Sequence, residues 1–256
     1  MLRLLILLGL LGAAGWSHAD EKPRAVLSIE DLLIAPKQFT ASPRFSFSTD
    51  QLSRAGMSSR SYSNSLNLNY GLNKHIALSW QYASQRSLQN DARFGASTQA
   101  LGLRWRIPTQ GAWQWNVSAY REIHASHTVS ELEWARPASN ISIQTYRFID
   151  PLVLSTGLSY HTASRWRVGG ALSPESRYMQ WNVAMDFAVN RVVGLYTAYQ
   201  MSGAVTGHSG EFSVRQRLSL GGSYRISGDT SVALTLGFGL ADTAPATLSV
   251  QGRYRF

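Results

Sequence analysis

From Thr40 to the end of the chain, apolar and polar residues alternate one by one, the period that sends successive side chains to opposite faces of a β-strand. Tyr62, Leu66, Leu68, Tyr70 and Leu72 alternate with Ser63, Ser65, Asn67, Asn69 and Gly71. After the turn signal Asn73-Lys74, Ile76, Leu78, Trp80 and Tyr82 alternate with Ala77, Ser79, Gln81 and Ala83. Two such runs joined by a tight turn predict a hairpin. Followed to the end, the pattern predicts twelve strands, near residues 41–50, 61–72, 75–86, 97–107, 112–123, 139–149, 152–162, 177–189, 192–203, 212–226, 230–240 and 247–256. The connections alternate too. Asn73-Lys74, Pro108 to Gly111, Asp150-Pro151, Asn190-Arg191 and Ser227 to Asp229 are short, whereas 87–96, 124–138 and 163–176 are long. Tight turns at one end and long loops at the other predict an all-β fold, a transmembrane antiparallel up-and-down barrel with periplasmic turns and external loops.

Alternation alone fits a water-soluble barrel equally well, so the composition of the polar face decides. That face holds Ser, Asn, Gln, Gly, Ala and Arg, and Lys occurs only at Lys22, Lys37 and Lys74, outside every predicted strand. A face turned to bulk water carries more charge. Only 15% of the chain is charged, against about 25% in soluble domains. The apolar face is rich in rings near strand ends: Trp80, Tyr82, Trp105, Trp113, Trp115, Trp181, Tyr199 and Tyr254, positioned as two membrane girdles. With no Cys, disulfide scaffolds and thiolate metal sites are excluded, and 44% hydrophobic residues exclude a disordered chain.

The N-terminus has its own pattern. A basic start at Arg3, an apolar run from Leu4 to Gly15 and small residues at Ser17 and Ala19 predict a cleavable signal peptide over 1–19 and export to the outer membrane of a Gram-negative cell. Residues 20–39 do not alternate. Ile29, Leu32 and Leu33 recur at helical spacing after Ser28, a capping residue, and before Pro36, which predicts a short pre-barrel helix. That helix either plugs the periplasmic mouth or rests beside it. The barrel occupies 40–256.

If the apolar phase meets lipid, the opposite phase meets the lumen. Arg104 and Arg106 alternate with Leu103, Trp105 and Ile107; Arg215 and Arg217 alternate with Val214 and Leu218; Arg225 lies between Tyr224 and Ile226. These five arginines, with Glu122 and Asp186 as the comparable acids, predict a net positive pore lining that favours anions. The competing reading is that they pair and solvate one another simply to fill the barrel. Arg121 has the outward phase and predicts contact with lipopolysaccharide phosphates, or snorkelling to the interface. His161, two residues from Ser159 on one face, is the only strand histidine of inward phase, while His124, His127 and His208 are assigned to external loops. No histidine pair at metal spacing sits in a strand, and no Gly-rich phosphate cradle opens a helix, so neither metal, cofactor, nucleic acid nor enzymatic activity is expected.

Several segments resemble the outer-membrane β-barrel family of phenol-degradation meta-pathway transporters, which is also similar to the secretion pore of functional-amyloid systems. They are Leu32 to Pro36 followed by Phe39; Asp150-Pro151 leading to Leu152-Val153-Leu154 and Gly157 to Tyr160; Gly221 to Ile226; Gly237 to Pro245; and the closing Tyr254-Arg255-Phe256. The terminal Phe256 is similar to the signal read by the outer-membrane barrel assembly machinery. The resemblance implies a barrel of about this size with a channel-like role and fixes no substrate; the arginine-lined lumen adds the expectation of small, anionic or aromatic solutes. The alternatives are a secretion pore or surface-interaction component for an exported peptide, and an outer-membrane lipid hydrolase using His161 or a loop histidine with a Ser at the lipid-facing rim. A counterpart of the long N-terminal coiled coil expected of the amyloid pore is missing. Solute and oligomeric state stay open.

Overall fold

The computed structural model describes residues 35–52, 57–89, 92–129, 132–134, 138–163, 166–168, 171–173, 176–204, 214–240 and 246–256. The expected signal peptide and pre-barrel helix, with Ile29, Leu32 and Leu33, lie outside the described residues. The strands are β1 (Phe39–Leu52), β2 (Met57–Gly71), β3 (Ile76–Gln89), β4 (Ala92–Ile107), β5 (Trp113–Val129), β6 (Leu132–Trp134), β7 (Ala138–Ile149) and β8 (Leu152–Ala163). Then come β9 (Trp166–Val168), β10 (Ala171–Ser173), β11 (Ser176–Ala188), β12 (Val193–Ala204), β13 (Val214–Arg225), β14 (Thr230–Gly239) and β15 (Ala246–Arg255).

Twelve of these form one closed antiparallel barrel, in the order β4-β3-β2-β1-β15-β14-β13-β12-β11-β8-β7-β5, with β5 pairing back onto β4. Closure removes the unpaired strand edges that hydrocarbon cannot satisfy. The first and last strands make one seam of it. Thr40 faces Arg255 in the β1–β15 pair, the Phe256 amide donates to the Phe39 carbonyl at 2.9 Å, and the rings of Phe39 and Phe256 lie 5.5 Å apart.

The turns at the seam end of the barrel are tight for local reasons. Asn73 Oδ1 accepts from the amides of His75 and Ile76, and Asn190 Oδ1 accepts from those of Val192 and Val193. Ser227 Oγ does the same for Thr230. Asn and Ser favour such turns because their short side chains stand in for a backbone acceptor.

At the opposite end the structure corrects the sequence. The connections expected at 87–96 and 124–138 are largely strand: β3 and β4 pair out to Gln89 and Ala92, and β5 runs to Val129 and adds β6. The β9–β10 pair occupies part of 163–176. A membrane needs only about 9–11 residues per strand, and nothing in water stops a ladder of Ser, Gln and Thr from continuing beyond it. His124 and His127 are consequently strand residues of β5. A bulge shifts the register between Gln99 and Ala100, so that Gln99 faces His124 while Ala100 faces Glu122, and Ile123 is the extra residue.

Burial is inverted relative to a water-soluble protein. Thr40, Ser42, Asn69, Ser79, Asn116, Asp186, Ser249 and Arg253 are buried, whereas Leu101 is 51% and Ile141 58% exposed. Leu78, Leu103, Leu158, Val183, Leu220, Leu234 and Val250 are exposed on the same outer face. A contiguous apolar belt on this scale is unstable in water and stable in hydrocarbon. The outer face is therefore a lipid-facing surface.

Candidate functional site

The pairing register fixes which residues share the inner face. Arg104 faces Ala77 and Ser118 on the flanking strands, and Arg106 faces Asn116. Arg215 faces Ser202, Arg217 faces Gln200, and Arg225 faces Ser231. All lie opposite in phase to the exposed Leu103, Trp105, Val214, Leu220 and Tyr224. Glu122 faces Ala100 on the same inner side, and its Oε2 accepts from the Ala138 amide at 2.7 Å. Asp186, buried, faces Val153 and Tyr196.

Three further arginines of inner phase were missed from sequence. Arg44 lies between the outward Pro43 and Phe45, while Arg253 and Arg255 flank the outward Tyr254. The signal was available, since each is of opposite phase to an aromatic neighbour. Among the described strand residues, phase assigns to the inner face eight arginines, Arg44, Arg104, Arg106, Arg215, Arg217, Arg225, Arg253 and Arg255, against three acids, Asp50, Glu122 and Asp186.

Small residues make room for the large ones. A side chain at Gly102 would collide with the ring of Tyr120, which lies flat on that glycine and accepts at its hydroxyl from Arg104 Nη2 at 3.2 Å. Likewise the guanidinium of Arg217 occupies the space where a side chain at Gly237 would project. Arg217 is electrostatically coupled to Arg44 and Tyr196, and Tyr196 in turn to Asp186. β14 and β15 separate β13 from β1 in the wall, and Arg217 and Arg44 lie within electrostatic range of each other on the inner face. Arg44 is held by a 3.0 Å hydrogen bond from Nη2 to Ser249 Oγ.

At the seam end, Lys74, His75, Arg104, Arg106 and Asn116 line a hollow of about 10 Å³. His75 is tied into this end of the wall by its carbonyl, which accepts from the Arg106 amide at 2.7 Å.

The girdle residues have the outward phase. Trp105, Trp113, Trp115 and Tyr254 sit near the seam-end rim, and Trp80, Tyr82, Trp181 and Tyr199 lie farther along their strands. Trp80 stacks with Tyr82 at 6.4 Å, and Trp181 meets Tyr199 edge-on at 6.2 Å. Arg121 is exposed on the outer face, and its Nη1 donates to Ser139 Oγ at 2.6 Å.

His161 and Ser159 come together on the inner face, with Ser159 Oγ 3.1 Å from His161 Nε2. Asn140 Nδ2 lies 3.1 Å from Nδ1 and 3.2 Å from Nε2, and Tyr178 stacks on the ring at 4.3 Å. An amide equidistant from both ring nitrogens does not orient one of them, as the third member of a nucleophilic triad does. A lipid substrate would approach the other face of the wall.

Fold and surface together define an outer-membrane β-barrel. No protein-family model matches the chain, and no curated protein is similar enough in sequence to count as a relative. Solved structures are similar in fold. An outer-membrane channel from Pseudomonas putida F1 superposes with a TM-score of 0.69 at 11% identity, covering 93% of this chain and 100% of that one. The β domain of the Bordetella autotransporter Brka gives 0.59 at 11% identity, covering 85% and 99%. The translocator domain of the autotransporter NalP from Neisseria meningitidis gives 0.56 at 11% identity, covering 90% and 92%. At such identity the likeness carries the fold alone.

Proposed function

We propose that this barrel is a passive channel of the Gram-negative outer membrane that passes small anionic solutes, aromatic acids among them, with the inner arginines setting its preference. The observation that supports this most directly is the imbalance of charge among residues of inner phase, eight arginines against three acids. Positive groups inside a narrow, low-dielectric wall focus their field along the lumen and concentrate anions there. Arg104, Arg106, Arg215, Arg217 and Arg225 are the residues assigned to this role, with Glu122 and Asp186 reducing the net charge. In this reading a signal peptide over 1–19 exports the chain, Phe256 is the mark read by the assembly machinery, and Ile29, Leu32 and Leu33 seat residues 20–39 at the periplasmic mouth. The girdle rings anchor the wall in lipid, and Arg121 meets lipopolysaccharide phosphates.

Reversal potentials across a KCl gradient in planar bilayers test the assignment. The wild-type pore is expected to prefer chloride, more so at 0.01 M than at 0.1 M salt, because the screening length falls from about 30 Å to about 10 Å. Replacing Arg215 and Arg217 by Ser moves selectivity toward neutrality while heat-modifiable gel mobility, the mark of the folded barrel, persists. A cation-preferring wild-type pore refutes the reading.

A further inference from the structure

We infer that the hollow between the Asn73–His75 turn and β4 and β5 is a binding site for one halide-sized anion, placed at the periplasmic end of the lumen. The inference rests on the channel reading above for its biological sense, but it stands on separate observations. Asn116 is 4% exposed and lines the hollow, yet neither its Nδ2 nor its Oδ1 has a hydrogen-bond partner. A buried donor left without an acceptor costs free energy, and Nδ2 is the end of this amide that an anion can meet. His75 lines the same hollow, and its Nδ1 is also buried without a hydrogen-bond partner.

The charge around these two groups selects the ligand. Lys74, Arg104 and Arg106 line the hollow, and no carboxylate does among the described residues. Cations are thus opposed, and a neutral water would use the amide but not the field. The volume, about 10 Å³, admits a single particle about the size of water and excludes a phosphate or an aromatic acid as a whole. A monatomic anion is the species that matches both size and sign, and chloride is the one that a salt-bathed channel meets.

The surrounding bonds hold the site open without filling it. Asn73 Oδ1 is committed to the amides of His75 and Ile76, which fixes the turn. The His75 carbonyl takes the Arg106 amide, which ties that turn to β4. Arg104 reaches the Tyr120 hydroxyl through Nη2, and Tyr120 lies flat on Gly102, so the guanidinium is positioned by the wall. Asn116 faces Arg106 across the β4–β5 pair, bringing an amide donor beside a guanidinium. Occupied, the site is a resting place from which an anion passes between the lumen and the periplasm.

Bromide is the probe, because it scatters anomalously and substitutes for chloride. Crystals of the full mature barrel soaked in bromide are expected to show an anomalous peak within hydrogen-bonding distance of Asn116 Nδ2; no peak there at saturating bromide overturns the site. In bilayers, conductance is expected to saturate with KCl concentration. Asn116→Leu, which keeps the branched shape, is somewhat bulkier and deletes the amide, is expected to raise the half-saturating concentration roughly tenfold, the scale of a deleted hydrogen bond to a charged group. An unchanged value in a folded Asn116→Leu barrel overturns the proposal. Asn116→Asp, of the same shape but opposite in charge to the ligand, is expected to abolish the bromide peak. If Asn116→Leu fails to fold, the wild-type bromide experiment still decides. A cation-preferring pore with bromide at Asn116 would refute the channel selectivity and keep the site, and an anion-preferring pore without it would do the reverse.

Discussion

Placing one arginine on each face of the wall, at the same height, tests the inverted burial directly. Leu220 lies five residues into β13 from its end at Arg225, and Ala198 lies five residues into β12 from its start at Val193. At about 3.4 Å per residue and a tilt of about 40°, both stand roughly 13 Å above the seam-end rim, near the middle of an apolar band about 25 Å tall. Leu220 is 45% exposed and pairs with Leu236 on the outer face. Ala198 faces Ala184 and Ser219 on the inner face, among small side chains that leave room.

Leu220→Arg therefore puts a guanidinium at the hydrocarbon midplane, at a cost of about 2–4 kcal/mol, or about 30- to 700-fold in the folding equilibrium. Ala198→Arg puts the same group in the lumen, near Asp186 two strand positions below Ala184, and is expected to cost less than about 1 kcal/mol. Reversible denaturant titration of barrels refolded into vesicles, followed by tryptophan fluorescence, measures both. A water-soluble barrel has the opposite order, since its interior is dry and its exterior wet. Equal costs, or a larger cost for Ala198→Arg, would refute the assignment of faces.

Other outcomes follow from particular contacts. Gly102→Val drives a side chain into the ring of Tyr120 and is expected to cost about 1–3 kcal/mol in the same titration, a loss relieved when Tyr120 is also replaced by Ser. With the β9–β10 pair external and the 108–112 turn periplasmic, Cys at Ser173 is expected to react with an impermeant reagent in intact cells and Cys at Thr109 is not; the reverse pattern inverts the topology. Deleting residues 20–38 is expected to raise conductance in a barrel that still shows heat-modifiable mobility, and unchanged conductance assigns that segment to the periplasm instead of the mouth.

Much of the wall was readable because its physics is local. Period-two alternation needs only neighbours in sequence, and a one-residue slip would turn every arginine of a strand toward lipid, so phase and register are tightly specified. The turns were equally readable: Asn73, Asn190 and Ser227 act on amides two or three residues away. The strand ends opposite the seam end were misread for the complementary reason. Beyond the membrane the Ser, Gln and Thr of β3, β4 and β5 carry no apolar signal, yet their ladders continue because the partner strand is already in place. The bulge at Ile123 is invisible for the same cause, being set by how β5 meets β4 and not by the residues of either strand alone.

The inner face shows where local reading stops. Strand phase suffices to turn Arg44 inward, opposite Phe45 and Phe47, but nothing near Arg44 announces that Arg217 lies within electrostatic range of it, since that proximity depends on the pairing of the first strand with the last. Register goes one step further than phase. Once the 226–229 turn is fixed, β13 and β14 pair residue by residue, and Gly237 falls opposite Ser219, one inner position from Arg217. The glycine and the arginine are then two halves of one arrangement, in which the missing side chain on β14 is the space taken by the guanidinium from β13. Gly102 and Tyr120 repeat it across β4 and β5. Gly102 and Gly237 therefore mark where a large polar group lies against the wall, and a hairpin register drawn from the turns brings each to within one inner position of its partner.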